Sequence, residues 1–466
     1  MTRGAEDLDQ LLTTAQTALE LGHFRESARE FSEAFLLAPS AFAFAQMAAN
    51  AWRLAGDVLA ERAVWQSAFA TARPSDAPSL YELGTGLLAT GAPTEARECF
   101  EVVARLLPRD TSALGALASA LRADGDPQRA WALIQKAIGR SPQTPALLLT
   151  AAQIRHALGD MAGATRWLDQ AERLRPGHRL TQVQRAFTLL MEGSFAAGWD
   201  AFQARGLPAG PAGAAPWHGE SLEGASIAVV MEEGLGDFFH FLRYVRRLEG
   251  LGPSRVIVEC PPSAVSLLTA SHFDAVAKND VKEVDWYVPL LSLPQRLATA
   301  GDVAGDLVPY LRTGRSAPPR REGPRRIGLV WRGNPAFLAT RLRDLDVAAL
   351  RHVVEIPDVE WVSLQMGEPL PFEHSRFTAA ALTGDWLATA RLVEQLDAVV
   401  TIDSAVAHLA GAMGRPAYVL LPFSPDWRWG LETDATPWYP SMRLVRQPAP
   451  RDWPGAIRAL RAHLSC

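Results

Sequence analysis

The residues VVTIDSAVAHLAGAMGR at 399–415 decide how the C-terminal half of the chain folds. A β-branched run over 399–402 ends in Asp403-Ser404. A small-residue helix follows, closed by Gly414-Arg415-Pro416, and an apolar run over 417–421 comes next. Strand, polar tip, helix and strand in that order make half of a parallel α/β unit. Open parallel sheets bind ligands at the C-terminal ends of their strands. A helix that starts there also offers unpaired N–H groups to an anion such as phosphate. His408 stands one helical turn beyond Asp403 and Ser404, so the three are candidates for one cleft. The alternative is an ordinary βαβ corner with a capping Asp and a buried His. A second polar and aromatic tip, PFSPDWRW at 422–429, follows the next strand and in a parallel sheet lies beside the first.

Working back from this stretch, strands are expected at 327–331, leading to Arg332-Gly333-Asn334-Pro335, and at 361–364, ending in Gln365. Helices are expected over 347–354, 386–396 and, as a closing element, 453–464. The tips around Asn334, Gln365 and Asp403-Ser404 then converge. Further upstream a strand over 227–231 runs into Gly234-Leu235-Gly236 and an amphipathic helix from Asp237, with Phe238, Phe241, Leu242, Val245 and Leu248 on its buried side. The glycines allow a close approach of backbone to ligand, and Asp237 reads as the helix cap. More strands are expected at 255–259, near 276 and from 285. A Gly/Pro/Ala stretch at 207–219 reads as a linker, and the basic, proline-punctuated 311–326 as a hinge.

The N-terminal half is periodic. Gly22, Gly56, Gly91, Gly125, Gly159 and Gly193 are spaced 34, 35, 34, 34 and 34 residues apart. Nine residues after each stands a bulky side chain: Phe31, Trp65, Phe100, Ile134, Leu168 and Phe202. Seven before stand Ala15, Ala49, Gly84, Ala118 and Ala152, and prolines close the units at Pro39, Pro74, Pro108, Pro142 and Pro176. This is the tetratricopeptide pattern: small residues let two helices approach, the bulky one fills the gap, and the glycine permits the turn. The sixth unit, GSFAAGWDAF at 193–202, runs into PAGPAGAAP and is expected to cap the solenoid. The array is expected to bind a protein or peptide in its concave groove, with a purely architectural role as the alternative. Phe42, Phe44 and Tyr81 fall in first helices, as peptide contacts or as packing.

A chain of 466 residues exceeds one core, so two or three domains are expected. A net charge of −5 and pI of about 6.1 leave no nucleic-acid footprint. Cys99, Cys260 and Cys466 are far apart and odd in number, which fits a reducing compartment and excludes a metal site built of cysteines. No run approaches the roughly 20 apolar residues of a bilayer span, and the first ten residues have no apolar leader core. A cytoplasmic location is the expectation. No GxGxxG, P-loop or HExxH occurs, and no His/Asp cluster has metal-ligand spacing.

Taken in order, GSFAAGWDAFQAR (193–205), GLGDFFHFLRYV (234–245), WRGNP (331–335), SLQMG (363–367), TIDSAVAHLAGAMGRP (401–416) and LPFSPDWRWGLETDATPWYPSMRLVRQ (421–447) carry a family resemblance over about 250 residues. The second lobe resembles GT-B glycosyltransferases of the heptosyltransferase type, related more distantly to protein O-GlcNAc transferases. The whole chain resembles bacterial proteins in which tetratricopeptide repeats precede such a domain, and shares the plan of alphaproteobacterial flagellin glycosyltransferases. The resemblance implies an α-solenoid over 7–206, a linker at 207–219, an acceptor-side GT-B lobe at 220–311, a hinge at 312–326 and a nucleotide-sugar lobe at 327–466.

It further implies an inverting, metal-independent enzyme without a resident cofactor. Its donor is a nucleotide sugar such as CMP-pseudaminic acid or another CMP-nonulosonic acid, and its acceptor is flagellin read by the repeats. By similarity Asp237 is the general base, with His240 as an alternative base or a sugar contact. Gly234, Gly236, Asn334, Gln365, Asp403, Ser404 and His408 are the implied donor-binding set, Asp403 orienting the loop or meeting ribose. Relatives continue after WRGNP with an Arg-Ser pair, whereas this chain reads AFLATRLRDL; Arg341 or Arg343 is the candidate replacement, beside Arg332 and Arg243. Trp427 and Trp429 are either a stacking surface or bracing. A UDP-GlcNAc-dependent protein transferase and a non-catalytic scaffold remain the alternative functions.

Overall fold

The computed structural model describes residues 3–297, 307–315, 323–335, 340–380 and 382–465, with the backbone alone at 3–6, 340 and 341. Two compact units are present: Met1–Pro176 with Asn334–Leu342, and Gly177–Gly333 with Arg343–Cys466.

Six helix pairs follow one another from the N-terminus. They are Arg3–Glu20 with Phe24–Leu37, Phe42–Leu54 with Val58–Thr71, Ala77–Ala89 with Pro93–Leu106, Thr111–Ala123 with Pro127–Arg140, Pro145–Ala157 with Met161–Leu174, and Arg179–Met191 with Phe195–Phe202 (α1 to α12). The glycine register has a direct cause. Gly22, Gly56, Gly91, Gly125, Gly159 and Gly193 all turn the chain at φ between 73° and 85°, a left-handed conformation that costs a side-chain-bearing residue energy. The bulky series Phe31, Trp65, Phe100, Ile134, Leu168 and Phe202 is buried, and Ala15, Ala49, Ala118 and Ala152 are fully enclosed. At Gly84 a Cβ would stand 2.9 Å from the Phe100 ring, so the ring occupies the space a side chain would need. Asp57, Asp76, Asp110, Asp126 and Asp160 cap their helices by accepting backbone N–H bonds. Phe42 and Tyr81 pack on Trp65 and Phe100 at ring distances of 6.3 and 5.5 Å, and Phe44 lies against the same core.

The boundary between the units falls before the sixth pair. α11 and α12 belong to the second unit, where Trp199 meets Phe241 at 5.7 Å and Trp427 at 5.2 Å.

The rest of the second unit is built on two all-parallel sheets. The first contains β1 (Ala215–Pro216), β2 (Ser226–Val230), β3 (Arg255–Cys260), β4 (Asp274–Ala277) and β5 (Trp286–Pro289), in the order β1-β5-β2-β3-β4. The stretch read as a linker thus supplies its edge strand. With this sheet go α13 (Leu235–Phe241), α14 (Arg243–Glu249), α15 (Pro262–Ala270) and α16 (Leu293–Arg296). The second sheet contains β6 (Arg325–Val330), β7 (Val359–Ser363), β8 (Phe377–Ala379), β9 (Ala398–Ile402), β10 (Ala417–Leu421) and β11 (Met442–Arg446), in the order β11-β10-β9-β6-β7-β8. Its helices are α18 (Val347–Val354), α19 (Trp386–Glu394), α20 (Ala405–Ala412) and α21 (Trp453–Leu464), while α17 (Thr340–Arg343) straddles the division of the chain with only Arg343 in the second unit.

β9 lies at the centre of its sheet and is buried at every position, which is why its sequence is a continuous apolar run rather than an alternation. Trp453, Ile457, Leu460 and Leu464 of α21 share a core with Ile327, Val400 and Leu420.

The start of α13 and the segment that follows it differ from the expectation in two ways. Asp237 is not a cap, because Leu235 and Gly236 are already helical and extended Gly234 holds the cap position. The helix after it is also not amphipathic. Phe239 and Tyr244 are buried along with the expected apolar face, and Leu242 separates two short helices. Residues 316–322 of the basic stretch at 311–326 and Cys466 lie outside the described residues. Among the described residues no helix is long and apolar enough to cross a membrane.

Candidate functional site

Two loops meet at the C-terminal ends of the strands. After β2, Gly234 opens α13; after β9, Ser404 caps α20 by accepting the Ala407 N–H at 3.4 Å, with Thr401 Oγ1 2.8 Å from its hydroxyl. Gly236 is where they touch. A Cβ there would stand 3.2 Å from His408 Cδ2 and 3.8 Å from the Ala405 backbone. The missing side chain lets the α13 start lie directly against the α20 start, and Asp237, His240, Asp403, Ser404 and His408 are brought together.

The tip after β10 closes this group. Arg428 is buried, donates to Asp426 Oδ1 at 2.8 Å, and makes an ion pair with Asp237 Oδ1. Burial alone would weaken the guanidinium's proton affinity; the Asp426 and Asp237 carboxylates outweigh it and hold it high. Arg343 lies 3.4 Å from Asp403 Oδ2, and His408 Nε2 lies 3.8 Å from Asp403 Oδ1. Burial pushes the Asp403 carboxyl up, against the pull of Arg343. Both histidines are enclosed, and burial followed by the nearby arginines keeps their proton affinity well below the usual imidazole range. Their Nδ1 atoms meet on one hydroxyl: Tyr439 Oη is 3.1 Å from His240 and 3.0 Å from His408.

Other candidates have other partners. Gln365 Oε1 accepts the Trp331 and Arg332 N–H groups at 3.2 and 3.0 Å, which ties the β7 tip to the β6 tip. Arg332 pairs with Glu368 at 2.7 Å on the surface. Asn334 is exposed and falls in the first unit, and the Arg341 side chain lies outside the described residues. Arg243 is fully buried. It donates to the carbonyls of His240 (2.8 Å) and Trp438 (3.0 Å) and sits 4.6 Å from the Tyr439 ring, so it clamps the histidine segment. Trp427 and Trp429 are buried, Trp429 stacking on His408 at 5.3 Å. Among the described residues no group of three or more His, Cys, Asp and Glu side chains is arranged to hold a metal ion.

Arg428 and Tyr439 stand out only in the structure. Arg428 resembles a surface charge in the sequence, though it sits in the aromatic-rich tip at 422–429; Tyr439 lies in the 421–447 stretch that carries the resemblance, but nothing local marks its role.

Asp344 lies beside the β6 tip, where its Oδ1 accepts the Gly333 N–H at 2.9 Å. Burial raises its pKa to about 6, against that bond and Arg332 and Arg343. A carboxyl raised in the folded state binds extra protons there, so its contribution to stability falls as pH rises from about 4 to about 6. Asp344→Asn keeps the acceptor and removes the charge. It is expected to raise stability at pH 7 by about 1 kcal/mol after solvent screening and to flatten that part of the stability–pH curve. Urea titrations at pH 4, 5.5 and 7 check this; equal differences from wild type at all three pH values would contradict it.

Tetratricopeptide-repeat families match residues 81–145 and 121–186. Over 471 aligned residues, covering 83% of this chain and 78% of its own, Protein FlbA of Caulobacter vibrioides (strain ATCC 19089 / CIP 103742 / CB 15) is 25% identical. Among solved structures, YrrB, described as a TPR protein with an unusual peptide-binding site, is 19% identical; 37% of this chain and 88% of YrrB are covered, with a TM-score of 0.30. A tetratricopeptide repeat protein from Parabacteroides merdae ATCC 43184 is 13% identical, covering 44% of this chain and 81% of its own at a TM-score of 0.36. The chain thus carries tetratricopeptide repeats followed by a parallel-sheet α/β region, and is similar to FlbA over most of its length.

Proposed function

We propose that the two parallel sheets are the lobes of a GT-B glycosyltransferase and that the protein transfers a sugar from a nucleotide donor to Ser or Thr of a protein held by the repeats. The carrying observation is the close approach at Gly236, where the Asp237 helix lies against the Ser404–His408 helix. In this reading the donor's phosphate meets the α20 N-terminus and the Ser404 hydroxyl. Asp237 takes the acceptor proton as the hydroxyl attacks the anomeric carbon from the face opposite the leaving group, inverting it without a metal. The leaving phosphate is stabilised by the helix terminus and by arginines already fixed in place.

Arg428, paired with Asp237, joins Arg343 as a cation beside the proposed chemistry. Its position next to Asp237 suits a carboxylated donor, so a CMP-activated nonulosonic acid is the proposed donor and flagellin the proposed acceptor. One observation favours a second reading. Arg428 already occupies the Asp237 carboxylate, as it would in a non-catalytic scaffold.

A nucleotide panel by calorimetry separates these readings. CMP, CDP, UDP, UDP-GlcNAc, GDP and ADP are each titrated into the wild type and His408→Ala. Binding of CMP that weakens at least about 10-fold in His408→Ala is expected, a loss of about 1.4 kcal/mol. Selective UDP-GlcNAc binding would redirect the donor, and failure of every nucleotide with folded protein would favour the scaffold.

A further inference from the structure

Four buried side chains from both sheets form one continuous line. Asp403 Oδ1 faces His408 Nε2 at 3.8 Å; His408 Nδ1 and His240 Nδ1 share the Tyr439 hydroxyl at 3.0 and 3.1 Å. His240 Nε2, at the far end, is buried with no hydrogen-bond partner among the described residues. A buried polar atom without a partner is costly and calls for an explanation.

We propose that Asp403, His408, Tyr439 and His240 form a proton relay of fixed direction, open at His240 Nε2 and closed at the Asp403 carboxylate. The hydroxyl sets the direction, because its single proton serves only one of the two Nδ1 atoms and the other nitrogen must donate to it. The Asp403 carboxylate favours a proton on His408 Nε2, which leaves His408 Nδ1 as the acceptor of the Tyr439 O–H. Tyr439 Oη then accepts from His240 Nδ1–H, and His240 Nε2 is left with a bare lone pair. The two histidines are therefore held in opposite tautomers.

The relay's use rests on the proposed transfer reaction. Asp237 stands three residues before His240 on α13, the spacing of neighbours on one helix face. When a proton reaches His240 Nε2, the N–H bond formed there is matched by loss of the Nδ1 proton to Tyr439 Oη. Tyr439 gives its own proton to His408 Nδ1, and His408 Nε2 gives its proton to Asp403. Each side chain gains one proton and loses one, except Asp403, which ends neutral.

This route avoids making a second cation beside Arg243 and Arg428, both of which disfavour a charged imidazole at His240. The groups facing the line are Arg243, Arg343, Arg428, Asp426 and Tyr310; burial raises the proton affinity of Asp403 so that it can take the proton, while Arg343 and Arg428 pull toward the carboxylate from which the line starts. The 3.8 Å step is longer than a hydrogen bond. Contacts of this kind tighten when a site is filled.

The test is nitrogen NMR on the full chain labelled at histidine, with signals assigned from His240→Gln and His408→Gln. The wild type is expected to show His240 protonated at Nδ1 and His408 at Nε2, both neutral. Asp403→Asn provides the second arm. Arg343 donates to the Oδ2 side of residue 403, so the amide oxygen settles there and its NH2 faces His408 Nε2. That reverses the line, with His408 protonated at Nδ1 and His240 at Nε2. Equal tautomers in the wild type, or an unreversed line in a folded Asp403→Asn protein, would overturn the relay. Both readouts are independent of donor and acceptor, so failure of the transfer reaction is seen separately. If transfer is observed, Tyr439→Phe should lower kcat by about 10-fold or more with KM unchanged, as loss of a proton-transfer group does.

Discussion

Arg428→Met is expected to lower the unfolding free energy by about 2 kcal/mol, although the residue sits in a single 3-10 turn (Trp427–Trp429) and methionine fills a similar volume. Breaking a buried ion pair from one side typically costs about 3–5 kcal/mol, because the remaining charge is stranded in low dielectric. Asp237 and Asp426 keep 30% and 33% side-chain exposure, so water recovers part of that cost. The guanidinium also lies 4.5 Å from the Trp427 ring and 5.4 Å from the Phe241 ring, contacts that a thioether keeps only in part. A double variant, Arg428→Met with Asp237→Asn, should recover some of the loss, since the stranded charge is then gone. Denaturant unfolding of the four proteins checks both statements. A single-variant loss under about 0.5 kcal/mol would mean that the pair is screened like a surface bridge.

Asp237→Asn should have the largest effect on activity: transfer falls about 10³-fold, while nucleotide affinity changes less than about 3-fold. The amide keeps the shape and still accepts a bond from Arg428, but it takes no proton from an attacking hydroxyl. The contrast with His408→Ala is the informative part. His408 lies on the α20 side with Ser404, so its loss should show in binding; Asp237 lies on the α13 side, so its loss should show in turnover. A parallel loss of binding in both variants would place Asp237 with the donor and remove its role as base.

The repeat array was legible because one physical constraint recurs. Each turn needs a left-handed residue, and six glycines meet that need at nearly constant spacing. The parallel strands were legible because central strands covered on both faces must be continuous apolar runs, as at 398–402 and 417–421. Besides β1, which lies in the stretch read as a linker, two strands escape the sequence for the converse reason. β8 is a three-residue edge, and β11 reads MRLVR, where Arg443 and Arg446 interrupt the apolar run on a strand that is paired on one side alone.

At the site, Gly236, Asp237, Ser404 and His408 were legible as two motifs, but their meeting depends on residues more than 160 positions apart. Arg428 pairs across 191 positions and Tyr439 reaches His240 across 199, distances at which no local pattern survives. The sequence offers Arg243 as one candidate cation for a carboxylated donor. Its sequence neighbours are apolar, and in the fold its guanidinium is used up on carbonyl groups and Tyr310.

The most direct test of a glycosyl-transfer site between these two loops is the intact mass of purified flagellin. It is incubated with a CMP-activated nonulosonic acid and the full chain, beside an Asp237→Asn control. A gain of one or more sugar masses, mapped to Ser or Thr and reduced about 10³-fold in the control, is the expected result. An unchanged acceptor mass with folded wild-type protein, for this donor and for every nucleotide sugar whose nucleotide binds, would contradict a transferase and leave the Arg428–Asp237 pair as part of a scaffold.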